Sequence, residues 1–260
     1  RSVHSDLTLL QTRMACLPAA ARLDSQLLDE NGKLPGFKLG DEAEELRTQV
    51  RSLLSKHKVS DGFDVENLRS EASDLGFFSL SWPKEEGGAA ASFEEQVVLN
   101  EEMKYAGGPV DRAMSATMLI GHALLRHGTP SQKAEFLPLL RSGTMDFCLG
   151  YSEPEAGSDL ASLRTRAVRS GEDEWTIDGQ KLWTTRAQNA SHVWLAVRTD
   201  PDARPRHAGI TIFLVPMDTP GITIQEHKAL SGEISCTVFY DQVKVPDSAR
   251  VGEVNEGWKV

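Results

Sequence analysis

The stretch GTPSQKAEFLPLLRSGTMDFCLGY, residues 128–151, decides how the chain divides. Its first part, TPSQKAEFLPLLRSG, reads as a short helix closed by Ser142-Gly143. The DFCLGY that follows is a short strand, apolar and without helical period. The change of rhythm predicts a boundary near 142–146, with helices before it and strands after it.

Towards the N-terminus the pattern stays helical back to residue 41. DEAEELRTQVRSLLSKH sets Leu46, Val50, Leu53 and Leu54 on one helix face. DVENLRSEASDLGFF repeats the pattern with Val65, Leu68, Ala72 and Leu75, and Gly76 ends it. SWPKEEGGAA is turn chemistry, after which Ser92 and Glu95 form a capping-box pair for SFEEQVVLNEEMKYAGG. A further apolar helix is expected over roughly 110–127, making residues 41–144 a helical bundle domain. Residues 1–40 form an extension in which Val3, Leu7, Leu10, Met14 and Leu17 draw a heptad-like seam that stops at Pro18. An amphipathic helix packing on its own protein, a tether to a partner and a link to an upstream module all fit that seam. Gly32, Pro35, Gly36 and Gly40 then read as a connecting loop.

Towards the C-terminus come TRAVRS, EWTI, QKLWTT, HVWLAVRT, GITIFLVP, GITIQEH, CTVFY and VKVP, separated by Asp-Gly, Pro-Asp and Thr-Pro-Gly turns. Many short strands predict an antiparallel β-sandwich or barrel over 145–250, with 251–260 as an exit link. The fold class is therefore α+β, an all-α bundle followed by a β domain. Asp178-Gly179 predicts a two-residue hairpin turn, setting Trp175 opposite Leu182. In that register Lys181, Trp183 and Thr185 emerge together on the polar face.

Composition narrows the function. With 38 acidic against 28 basic side chains the net charge is −10, which disfavours phosphate-backbone binding to nucleic acid. No apolar run is long enough to span a membrane. Three well-separated cysteines, Cys16, Cys148 and Cys236, suit a reducing compartment, so the cytoplasm (or the mitochondrial matrix in a eukaryote) is expected. The seven histidines lack metal-ligand spacing, and no Walker loop, nucleophile elbow or Gly-x-Gly-x-x-Gly occurs.

Three segments could carry chemistry. In FCLGYSEPEAGSDLASL, residues 147–163, a strand runs into a small-residue turn, and Ser158-Asp159 could cap a helix whose amides would suit an anion; an ordinary capped turn fits equally. Trp183 on a polar face needs a cover, either a neighbouring domain or a flat aromatic ligand, with the Thr185 hydroxyl two residues on. Arg204 and Arg206 in DPDARPRH could meet a phosphate or lie in a solvated loop.

The run Leu149-Gly-Tyr-Ser-Glu-Pro-Glu-Ala-Gly-Ser-Asp159 resembles the flavin loop of the acyl-CoA dehydrogenase family, and Trp183-Thr184-Thr185 its second flavin segment. WPKEEGG at 82–88, RTDP at 198–201, GITIFLVPMDTPGI at 209–222 and VGEVNEGW at 251–258 extend the resemblance in order. It implies FAD-dependent α,β-dehydrogenation of an acyl-CoA thioester. Leu149, Tyr151, Ser152, Gly157, Ser158, Trp183, Thr184 and Thr185 would form the cofactor site. Within it, Gly157 and Ser158 would hold the pyrophosphate, Ser158 would also touch the CoA arm, Trp183 would pack on the isoalloxazine, and Thr185 would bond near flavin N5. The implied partners are an acyl-CoA, an electron-transfer flavoprotein or similar acceptor, and further subunits in a homo- or hetero-oligomer. The family's catalytic glutamate belongs to a third, C-terminal helical bundle expected after Trp258, so this chain alone is expected to be inactive. Glu153 is expected to order its loop rather than act as base. An acyl-CoA oxidase-like relative and a non-catalytic subunit of a heteromeric dehydrogenase are the competing readings; the acyl class stays open.

Overall fold

Leu46, Val50, Leu53 and Leu54 recur at three- and four-residue spacing, and in the computed structural model they are the buried face of α1 (Asp41–Lys56). The structure describes residues 39–108, 116–230 and 232–260. The seam of Val3 to Leu17 lies outside the described residues. A small hairpin, β1 (Lys58–Val59) and β2 (Gly62–Phe63), leads into α2 (Val65–Asp74). Only Leu68 and Ala72 of α2 are buried. Val65 and Leu75, expected on the same face, sit at the two ends of this short helix and are exposed. Gly76 then turns the chain at φ 74°. In α3 (Phe93–Tyr105) the capping box forms as expected: the Ser92 hydroxyl accepts from Glu95 N and the Glu95 carboxylate from Ser92 N.

Of the helix expected over 110–127, residues 110–115 lie outside the described residues. The rest is a π-helical turn, Thr117–Gly121, continuing into α4 (His122–His127). Trp82, fully buried, donates its indole N–H to the Thr117 carbonyl. A Cβ on Gly121 would land on that indole, so glycine is what lets the helix approach. The last helix, α5 (Pro130–Arg141), opens with a second capping box, Thr129 with Gln132. The Gln132 amide also donates to the carbonyls of Ser248 and Arg250, tying helices to sheet.

The sheet comprises β3 (Phe147–Gly150), β4 (Arg166–Arg169), β5 (Glu174–Thr185), β6 (His192–Arg198), β7 (Ile210–Pro216), β8 (Ile222–Lys228), β9 (Ile234–Pro246) and β10 (Arg250–Val251). Its order is β10-β7-β6-β4-β5-β9-β8, with β3 beside β6. The sheet is not closed, which removes the barrel alternative, and β3 and β4 pair parallel with β6, so it is not wholly antiparallel. HVWLAVR reads as a continuous apolar run because β6 is covered on both sides. Val193, Leu195 and Val197 meet β5 and β9 in the core of the sheet, while Trp194 and Ala196 face Ile120, Leu124, Phe136 and Leu140 of the helices.

The hairpin expected at Asp178-Gly179 does not form. EWTIDGQKLWTT is one strand, β5, paired along its length with β9. Trp175 stands opposite Val245, not Leu182. The local turn preference is absorbed as a bulge, in which Gly179 takes φ 146° and Gln242, on the partner strand, φ 50°.

Candidate functional site

Where β3 ends, Tyr151 and Ser152 lead into a tight turn closed by mutual bonds between the Glu153 and Ala156 backbones, at 2.8 and 3.1 Å. Leu182 N donates to Ser152 O at 2.8 Å, joining this loop to β5. Lys181 reinforces the junction: its ammonium donates to Tyr151 O at 3.0 Å and to Glu153 Oε1 at 2.8 Å. Glu153 also accepts the backbone N–H groups of Arg164 and Thr165. Burial alone would raise the Glu153 carboxyl, but the Lys181 charge and these amides hold it below the ordinary range. Glu153 thus orders the loop. Lys181, expected on an exposed polar face, is instead fully enclosed.

Between Lys181↔Val238 and Thr184↔Cys236 the ladder slips, with two residues of β5, Leu182 and Trp183, opposite Thr237 alone. This bulge, rather than plain strand alternation, turns Trp183 outward: its backbone is left-handed at φ 60° and it is 66% exposed. Thr185 is exposed on the same side, while Thr184 is buried with its hydroxyl unpartnered.

Leu149, Tyr151, Ser152, Trp183 and Thr185 line one cleft of about 460 Å³. Leu119 and Ile120 of the helical domain supply an apolar side, and Asp146, Arg186 and Glu233 bring charge. Three of the expected cofactor residues do not line it. Thr184 faces inward, and Gly157 and Ser158 lie on the exposed loop beyond, where a Cβ on Gly157 would meet nothing within 4 Å. The anion-binding helix start is not formed either: Leu160–Ser162 is a single 3-10 turn and the Asp159 side chain makes no cap. Arg204 and Arg206 do not line the cleft; the Arg204 guanidinium bonds the carbonyls of Asp202 and Ala203 within its own loop.

Burial raises the Tyr151 phenol and pushes the Cys148 thiol up to about 12, so neither ionises near neutral pH. Among the described residues no group of three or more His, Cys, Asp or Glu could hold a metal ion, and no helix is long and apolar enough to cross a membrane. The cleft therefore combines an exposed indole, a phenol and two hydroxyls with an apolar side and the charged Asp146, Arg186 and Glu233. That donor set suits a flat aromatic ring with polar edges.

Residues 40–144 match the family profile described as acyl-CoA dehydrogenase, N-terminal domain, and residues 148–243 that of the middle domain. Acyl-CoA dehydrogenase FadE26 of Mycobacterium tuberculosis is 37% identical over 233 residues, an alignment spanning 84% of this chain and 58% of that protein. Among solved structures, the Tcur3481-Tcur3483 steroid ACAD shares 37% identity at a TM-score of 0.78, covering 86% of this chain and 60% of the other. The ChsE4-ChsE5 complex from Mycobacterium tuberculosis contains a chain 35% identical at a TM-score of 0.78, covering 86% and 59%. The chain thus spans less than two thirds of each of these relatives.

Proposed function

The chain belongs to the acyl-CoA dehydrogenase family, and from that premise we propose that its cleft binds FAD and serves the α,β-dehydrogenation of an acyl-CoA thioester. The observation that carries this reading is Trp183, an aromatic residue held in left-handed backbone with its indole open to the same cleft as Tyr151, Ser152 and Thr185. Such a conformation costs an ordinary residue roughly 1–2 kcal/mol, and at a ligand site that strain has a use. When bound, FAD supplies the two-electron acceptor for a hydride leaving the acyl β-carbon.

The chain's own residues then have distinct tasks. Trp183 covers the ring, Thr185 and Ser152 offer hydroxyls to its polar edge, and Leu119, Ile120 and Leu149 keep water from it. Thr184 is buried behind them. Gly157 and Ser158 remain our assignment for the pyrophosphate, with Ser158 also for the CoA arm; the open space over Gly157 supports close approach. With a net charge of −10, backbone amides rather than the general field must hold these phosphates. Glu153 is unsuitable as the base because both its oxygens are engaged, and Glu155 is exposed and paired with Arg164. We assign the base to no described residue.

The electron acceptor we propose is an electron-transfer flavoprotein or its equivalent, and the active assembly an oligomer. Anaerobic mixing of an acyl-CoA with the FAD-loaded active assembly, which must include the group that serves as base, tests the reaction directly. Bleaching of the flavin band is expected, and a protein that binds FAD but is never reduced would favour a non-catalytic subunit. Rapid oxygen uptake in the same assay would mark an oxidase. Because one relative is named for steroids, a steroid-derived acyl-CoA belongs in the first panel beside short branched thioesters.

A further inference from the structure

Lys181 is 0% exposed, and both of its hydrogen-bond partners lie in the loop after β3: Tyr151 O and Glu153 Oε1. Glu153 Oε1 also accepts from Thr165 N at 2.9 Å, and Oε2 from Arg164 N at 2.6 Å. One ammonium and one carboxylate therefore join the loop at 151–156, the entry to β4 and the middle of β5. Lys181 is also the last residue of β5 in register before the bulge that turns Trp183 outward. The next residue, Leu182, is bonded through its N–H to Ser152 O. The pair stands behind both walls of the cleft, Tyr151 and Ser152 on one side, Trp183 and Thr185 on the other.

Fold stability alone does not account for this choice. Exchanging a buried ion pair for apolar residues of similar volume is often neutral or stabilising. Burial pushes Lys181 down to about 8 despite Glu153 beside it, and Arg198 on β6, itself flanked by Arg206 and Asp200, adds repulsion. The charge is kept against its preference for water.

We propose that the Lys181–Glu153 pair is a positioning device: the Lys181 ammonium fixes the Tyr151–Ser152 loop at a set spacing from Trp183 and Thr185, and so sets the width of the cleft. The clamp is defined without a ligand; that its purpose is to seat a flavin ring rests on the function proposed above. Losing the Lys181 proton takes the charge assistance from both bonds and so loosens the loop. The fold responds with the opposite sign. Lys181 titrates at about 8 in the folded chain, below the ~10.4 of a free lysine. Between those values the unfolded chain binds more protons, so this group does not weaken the fold as pH rises. An alkaline loss of affinity with an unchanged circular dichroism spectrum would therefore report the clamp rather than unfolding.

The test is the double variant Lys181→Met with Glu153→Gln, which leaves no buried charge unpaired, followed by circular dichroism, hydrogen exchange and FAD titration. We expect a native spectrum, faster exchange confined to the amides of Arg164, Thr165 and Leu182, and FAD bound about tenfold more weakly or worse. Wild-type affinity should fall as pH rises through about 8, whereas the variant's should not change there. A folded double variant with wild-type affinity, or with unchanged protection at those amides, overturns the proposal. Should the variant not fold, the wild-type pH series decides. Protection of the same amides, corrected for intrinsic exchange, must drop above pH 8, and constant protection overturns the clamp. If the amides loosen but the wild type binds no FAD, the clamp stands and the flavin reading fails.

Discussion

Trp183 combines two properties, a strained backbone and an exposed indole, and the two can be separated. Trp183→Gly removes the left-handed strain and the indole together. Urea unfolding should show stability unchanged or raised by about 1 kcal/mol, while FAD affinity falls at least about tenfold. A variant that loses stability and affinity in step would mean the indole is ordinary packing. Gly121 is the converse case, a residue defined by what it excludes. Gly121→Ala drives a methyl into the Trp82 indole and should cost about 1–3 kcal/mol in the same assay. Trp183 and Thr185 could be singled out from their spacing, because an aromatic and a hydroxyl two apart on a polar face need an explanation. The bulge that presents Trp183 could not, because the ladder that slips is made with β9, some fifty residues further on. Lys181 was illegible for a related reason: nothing near it in sequence announces that Glu153 will meet it in the core.

At the scale of elements, short-range signals were reliable where nothing long-range competed. The Ser92–Glu95 capping box and the turn at Gly76 are set by neighbours in the chain, and both formed. Asp178-Gly179 is an equally strong local signal that lost, since continuous pairing of β5 with β9 satisfies far more backbone than a hairpin would. Its glycine survives beside the bulge, paired with Tyr240, while the extra residue lies on β9. Gln132 shows how one side chain can serve two elements: it caps α5 and bonds the carbonyls of Ser248 and Arg250. Gln132→Ala should cost about 2 kcal/mol in chemical denaturation, more than a surface cap alone, because two part-buried carbonyls also lose their donor.

For the whole molecule, the order of helices then sheet was readable from the change of rhythm around Gly143, since hydrophobic period follows directly from backbone geometry. Whether the sheet closes was not, because closure depends on its two edges, β8 and β10, which no local pattern relates. The charge balance also has a pH signature. Glu102 is held below the ordinary carboxylate range by its bonds to Arg51 and Arg47, and Asp247 by bonds from Arg250 and the Trp175 indole. Glu153 shifts the same way. Carboxyls depressed in the folded chain stabilise it above their unfolded pKa, and that contribution is lost as pH falls through the folded values. Melting temperature should therefore drop steadily below about pH 4; a flat profile down to pH 3 would show that these pairs contribute nothing.

The most direct test of the central claim, that the cleft between the 149–152 loop and the end of β5 holds FAD, is a titration of FAD into the wild type and Trp183→Ala, followed by tryptophan emission and flavin absorbance. One FAD per chain is expected, with quenched emission in the wild type, and weaker binding with most of that quenching gone in the variant. Wild-type protein that binds no FAD, or a variant that binds it equally well with the same quenching, would contradict that claim.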